Sequence, residues 1–225
     1  FKLYFRFVIF FTLIVGGVIY SHSYLNDSIA FEHPLVLGST EGSIRHALFQ
    51  VVAIITTTGF VTADFTLWSP FLLVFFFGLM FLGGSAGSTS GGVKVVRHLI
   101  LIKNGFLEFK RTLHPSAILP VRYNNKSVSG EIVFNILGFF MLYMLSFILG
   151  SLGFALLGLD FESSVGVAAS SLGNVGPALG DFGPSNNFIG MPTAGKWWAA
   201  FLMLIGRLEL FTVFILLTPF FWRNR

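Results

Sequence analysis

The stretches SIRHALFQVVAIITTTGF (residues 43–60) and FESSVGVAASSLGNVGP (residues 161–177) share one pattern: a short semi-apolar run, then a turn of small residues closed by glycine. Aligning Gly59 with Gly176 also sets Val51-Val52-Ala53 against Ala168-Ala169-Ser170. Apolar runs of about 10–14 residues are too short to cross a bilayer core, which takes roughly 20 helical residues, but they suit re-entrant helices. Longer apolar stretches flank both, at residues 5–21 and 68–82 around the first and 132–157 and 197–221 around the second. The unit span, short helix, glycine turn, span therefore occurs twice in the same orientation, and the fold class is an all-α polytopic membrane protein built from two parallel repeats.

Composition agrees. Of 225 residues, 54% are hydrophobic and 11% charged, with a mean hydropathy of +0.81, whereas soluble domains carry roughly 25% charged residues. A soluble enzyme is excluded on that ground. Cysteine is absent, which removes disulfides, thiolate metal sites and a cysteine nucleophile. Phe1 is not a start methionine and the first span lacks a small-residue cleavage site, so the expectation is that this span is not a signal peptide and that the chain is a piece of something longer. Trp68, Trp197, Trp198 and Trp222 fall at expected span ends, where aromatic belts form.

Charge placement orients the spans. Lys94, Arg97, Lys103, Lys110, Arg111, Arg122 and Lys126 lie between the second and third spans, Lys2 and Arg6 at the start, and Arg223 and Arg225 at the end. The positive-inside rule makes these segments, and both termini, cytoplasmic. Asp27, Glu32, Glu41, Asp64, Asp160, Glu162 and Asp181 gather on the outer side against Arg45 and Lys196, an acidic face that would concentrate cations. Three segments follow: a first repeat at 1–105, a basic cytoplasmic linker at 106–128 and a second repeat at 129–225.

Irregular backbone at membrane depth is tolerated only where protein or water surrounds it, which restricts the two turns to a pore or binding site. There the carbonyls of Thr56, Thr57, Thr58 and Gly59, and of Gly173, Asn174, Val175 and Gly176, can replace the hydration shell of a monovalent cation, with glycine supplying positive φ. Neither turn holds a carboxylate, which argues against a divalent ion. Each turn by itself also reads as an ordinary helix C-cap, and the repetition is what favours the ion.

The second span is interrupted by Gly83-Gly84-Ser85-Ala86-Gly87-Ser88-Thr89-Ser90-Gly91-Gly92, too glycine-rich for a helix and expected as a flexible loop at membrane depth. An amphipathic basic stretch at 93–105 follows. A phosphate-binding P-loop fails because Gly92 is followed by Val93, with Lys94 one place late and no strand before it. In the last span Arg207 and Glu209 lie two apart and so on different helix faces. Arg207 is expected to face the pore axis, hydrogen-bonding carbonyls of the 83–92 loop, and Glu209 to meet a neighbouring helix. A purely structural arginine clamp is the alternative.

Together TTTGF (56–60), GGSAGSTSGGVK (83–94), LGNVGP (172–177) and GRLELFT (206–212) resemble the TrkH family of potassium uptake proteins, in the superfamily with KtrB and HKT. The similarity covers nearly the whole chain, including Lys110-Arg111, His114-Pro115 and Thr218-Pro219. The resemblance implies four span–pore-helix–span repeats around one pore, of which this chain supplies the third and fourth, each turn contributing one quarter of a potassium selectivity filter. It implies that the 83–92 loop is an intramembrane gate and Arg207 the basic residue reaching it. It further implies an inner-membrane homodimer with a cytoplasmic nucleotide-binding regulatory subunit of the Trk A type, for which residues 93–126 offer a docking surface. Potassium is then the transported ligand, with no covalently bound cofactor. The first two repeats are absent, so a missing N-terminal half or a second copy is needed to complete the ring.

Two other classes compete. A proton- or sodium-coupled carrier needs a titratable group at the midplane, and Glu209 is the only acid there, but the repeats run parallel and not inverted. An intramembrane enzyme lacks a Ser/His or paired Asp arrangement, and His22, His33, His46, His98 and His114 scatter over both sides without metal-ligand spacing. Lipid binding by the basic linker is compatible with any of these; nucleic acid is not an expected partner.

Overall fold

The computed structural model describes residues 2–25, 40–85, 87–117, 119–208 and 210–223. Glu209, Ala86, Asp27, Glu32, His33 and Arg225 lie outside the described residues, and with them the expectations placed on their side chains. Helix α1 (Lys2–Leu25) leads to α2 (Thr40–Ile55), α3 (Pro70–Leu79) and α4 (Val95–Leu113), and then α5 (Gly130–Leu156), α6 (Phe161–Gly173), α7 (Thr193–Arg207), α8 (Leu210–Leu217) and α9 (Pro219–Arg223) follow.

Two of the four expected spans, in α1 and α5, are single helices long and apolar enough to cross a membrane, yet only 28% and 22% of their windows are buried. The core helix of a soluble protein would be mostly covered. Here Phe10, Leu13, Phe134, Met141 and Leu152 point outward, an apolar exterior suited to lipid or to further helices.

The other two spans are interrupted. α3 runs for 10 residues, opened by Ser69, whose hydroxyl caps the Leu72 amide, and by Pro at the first helical position. It stops where the glycine run removes helical preference. The last span, expected as one helix, breaks after Arg207 and again before Pro219. The second break follows from the missing proline N–H. At the first, the Asn174 amide donates to the Met203 carbonyl at 3.1 Å, and a side chain inserted into the backbone ladder one turn before is a known cause of kinking.

Helix α4 passes through position 105 without interruption and ends at Leu113. A two-residue hairpin, β3 (Arg122–Tyr123) against β4 (Lys126–Ser127), then turns at Asn124 and Asn125, both at positive φ.

Within each repeat the short helix packs on its flanking spans, α2 on α1 and α6 on both α5 and α7. Small residues permit the approach: the Trp198 indole donates to the Gly150 carbonyl at 3.1 Å, and a Cβ on Gly153 would lie 2.3 Å from the indole nitrogen. The repeats share a core in which Leu79 and Met80 of the first meet Ala169, Val175 and Leu179 of the second.

Candidate functional site

Both short helices run into their turns at their C-terminal ends, so the negative end of each helix dipole points at the turn, favouring a cation. α6 begins at an Asp160 cap, whose carboxylate accepts from the amides of Glu162 at 3.1 Å and Ser163 at 3.3 Å. The Ser163 hydroxyl first, and then these backbone amides, hold the Asp160 carboxyl below its ordinary value. A depressed folded value contributes stability above the unfolded pKa of about 3.9, lost as pH falls through the lower folded value. Asp160→Ala should therefore cost about 1 kcal/mol near neutral pH and progressively less below about pH 4. Thermal unfolding in detergent as a function of pH reads this.

The turns superpose by their hydrogen bonds as well as by sequence. In the first, Thr57 N donates to Ile54 O at 3.0 Å and Thr58 N to Ala53 O at 2.9 Å; in the second, Asn174 N donates to Ser171 O at 3.1 Å and Val175 N to Ser170 O at 2.9 Å. These are the pairs that the Gly59–Gly176 alignment makes equivalent. Backbone signs match too: Thr57 (φ 56) and Asn174 (φ 54), then Gly59 (φ 75) and Gly176 (φ 115), are left-handed. Alternating left-handed residues turn successive carbonyls toward one side, which is what a carbonyl-lined ion path requires.

Glycine was legible as the source of positive φ; Thr57 and Asn174 were not. Asparagine visits this region readily, whereas a β-branched threonine there is a true outlier costing about 1–3 kcal/mol, strain of the kind that gathers at functional sites.

The two turns lie side by side. A Cβ on Gly59 would sit 2.3 Å from the Val175 carbonyl oxygen, and one on Gly176 would be 3.5 Å from the Gly59 Cα. The Thr56 hydroxyl donates to Val52 O at 2.6 Å and lies 2.7 Å from the Thr58 hydroxyl, so these side chains brace the turn while its carbonyls remain the ligand candidates.

The 83–92 loop is closed and internally bonded, not slack. Strands β1 (Leu82–Gly83) and β2 (Val93–Lys94) pair in parallel at its base. Gly84 N donates to the Ser90 hydroxyl at 2.8 Å, Ser88 N to Ser85 O at 3.1 Å, and the hydroxyls of Ser88 and Ser90 are 2.8 Å apart. Lys94, which in the sequence marks a cytoplasmic segment and excludes a P-loop, is the anchor. Its ammonium donates to Ser88 O at 2.9 Å, to the Ser90 hydroxyl at 3.1 Å and, more closely, to Ser90 O. A lysine just after the glycine run is the available signal for this anchor.

Gly87, Ser88 and Thr89 are exposed at the tip, while Gly83, Gly84, Gly91 and Gly92 are buried. The returning arm abuts the second turn: a Cβ on Gly91 would be 2.3 Å from the Gly173 carbonyl oxygen and 2.8 Å from the Asn174 Cβ. On the other side of that turn, a Cβ on Gly206 would be 1.9 Å from Leu172 O. Loop, turn and the end of α7 are thus in direct contact. Arg207 itself is exposed. Among the described residues its guanidinium makes no hydrogen bond to the loop, so the expected link between them is not part of this arrangement.

A cation transport protein family model, that of TrkH, matches residues 2–223. The chain belongs to the TrkH family. Its TrkH relatives include the Trk system potassium uptake protein TrkH of Halomonas elongata, 42% identical over 184 residues, covering 80% of this chain and 37% of the relative. The protein of the same name in Escherichia coli (strain K12) is 41% identical over 189 residues, covering 84% and 39%. The crystal structure of the potassium transporter TrkH from Vibrio parahaemolyticus superposes with a TM-score of 0.84 at 37% identity, covering 97% of this chain and 44% of that one. The chain spans less than half the length of the TrkH relatives it matches. The polytopic membrane fold and family inferred from the four motifs accord with these matches.

Proposed function

We propose that this chain forms two quarters of a potassium-conducting pore, Thr56–Thr58 with Gly59 and Gly173 with Asn174, Val175 and Gly176 lining its filter. The single observation that carries the reading is the contact of two turns with the same hydrogen bonds and the same alternation of left-handed residues. Relatives that cover most of the chain are named potassium uptake proteins, which supports potassium as the transported ligand. The 83–92 loop, closed by Lys94 and lying against the second turn, is the gate, and Arg207, exposed beside that turn, is the pore-facing charge.

The pore is completed by a further half, as a preceding segment or a second copy. Supporting this, the outward face of α2 bears a groove of about 760 Å³ lined by residues including Ile44, Leu48, Phe49, Thr56, Thr58 and Phe60. Phe60 is 67% exposed beside the filter turn, where another quarter would pack. The assembly sits in the inner membrane as a homodimer with its termini cytoplasmic, and the basic α4 and hairpin meet a nucleotide-binding regulatory subunit. The three segments 1–105, 106–128 and 129–225 serve as repeat, linker and repeat.

Potassium and sodium fluxes of the assembled transporter in proteoliposomes test the reading. Potassium-selective flux down its gradient is expected. Flux that instead follows an imposed proton or sodium gradient would replace the pore with a coupled carrier and make Glu209 the residue to change.

A further inference from the structure

The two filter turns match in every hydrogen bond the alignment pairs until the last residue, and there they part. In the first turn Gly59 N reaches the Ala53 carbonyl oxygen at 3.3 Å, an acceptor already used by Thr58 N at 2.9 Å. In the second, the position of Ala53 is held by Ser170, and its hydroxyl takes over. Gly176 N donates to the Ser170 Oγ at 3.1 Å, and that hydroxyl donates to Gly176 O at 2.9 Å. Ser170 is 3% exposed, and among the described residues its hydroxyl bonds only to Gly176. The backbone registers the difference at this residue. Thr57 and Asn174 differ by only 2° in φ (56 and 54), whereas Gly59 stands at 75 and Gly176 at 115.

We infer that Ser170 is a positioning residue that makes the two quarters of the filter chemically unequal. By holding both the N–H and the C=O of Gly176, it turns that carbonyl back toward α6, so Gly176 bounds the filter through its backbone turn without giving the ion its own oxygen, while among the described residues the carbonyl of Gly59 has no such tether. The outermost cation position is then lined by fewer oxygens on the second-repeat side, and the last peptide of that turn is fixed, not adaptable. A rigid, unequal ring discriminates between ions by how well each tolerates the fixed spacing; freeing the peptide lets the turn close around a smaller ion. The inference rests on the reading of these turns as a filter.

The test is the potassium-to-sodium permeability ratio of the assembled transporter in proteoliposomes, for the native protein, Ser170→Ala, Ser170→Thr and Ala53→Ser. Two hydrogen bonds of ordinary net strength set the scale: Ser170→Ala should lower the ratio about tenfold, equivalent to roughly 1.4 kcal/mol, with total cation flux retained. Ser170→Thr, which keeps the hydroxyl, should restore it. Ala53→Ser, which adds the tether to the first turn without disturbing the second, should shift the ratio by itself. This keeps the test decisive if Ser170→Ala does not assemble. A native protein that is selective, with a ratio unchanged in Ala53→Ser and in any assembled Ser170→Ala, would overturn the role of Ser170 and leave the filter standing. A native protein with no preference would overturn the filter reading and Ser170 with it.

Discussion

Gly59→Ser is expected to cut the preference for potassium over sodium by about tenfold or more, the larger of the two glycine effects. Two independent costs meet there. The residue holds φ 75, where a side chain is strained by about 1–3 kcal/mol, and a Cβ would lie 2.3 Å from the Val175 carbonyl oxygen. That oxygen is backbone of the neighbouring turn, so the collision displaces both turns at once. Gly176→Ser pays only the first cost, because its added Cβ would meet nothing nearer than the Gly59 Cα at 3.5 Å. Ion-selective flux should rank native, Gly176→Ser, Gly59→Ser. Gly105→Ser, on α4 with no atom within 4 Å of the added carbon, is the matched control and should behave as native. Equal preference in all four would remove the turns from selectivity.

The second large effect is a gain. Lys94→Met deletes the ammonium that gathers Ser88 and Ser90, leaving their oxygens to one another and to water. Hydrogen bonds to a charged donor contribute about 1.5–3 kcal/mol each, so the closed loop loses enough to open readily, and potassium flux per assembled transporter should rise about tenfold. Lys94→Arg keeps the charge but replaces a compact three-donor head with a planar fork, and an intermediate flux is expected. Flux unchanged in Lys94→Met, at equal amounts of assembled protein, would mean that the loop is a structural plug and not the gate.

The two effects draw on different levels of information. That a turn of small residues closed by glycine follows a short apolar helix, twice and in the same sense, is written in the order of residues, because hydropathy and chain length decide whether a segment can span lipid. The break of the second span at its glycine run was legible for the same local reason. Lys94 was visible but misplaced in meaning: its side chain folds back over the loop, and a backward contact of that kind has no signature in spacing. The break after Arg207 was hidden altogether. One turn before it Asn174, far away in sequence, donates to the Met203 carbonyl, a contact that spacing along the chain does not announce.

Membrane class and the doubled unit of short helix and glycine turn were thus legible in the sequence alone, since each follows from local composition weighed against water or lipid. Tertiary structure decided the rest: that Gly59 touches Val175, that Gly91 abuts Gly173, that Thr57 is forced into a left-handed conformation, and that the Ser170 hydroxyl tethers one turn where Ala53 has no side-chain counterpart. Those are contacts between segments distant in the chain or backbone states imposed by them. Close packing of helices selects among conformations that local preference leaves nearly equal, or even disfavours.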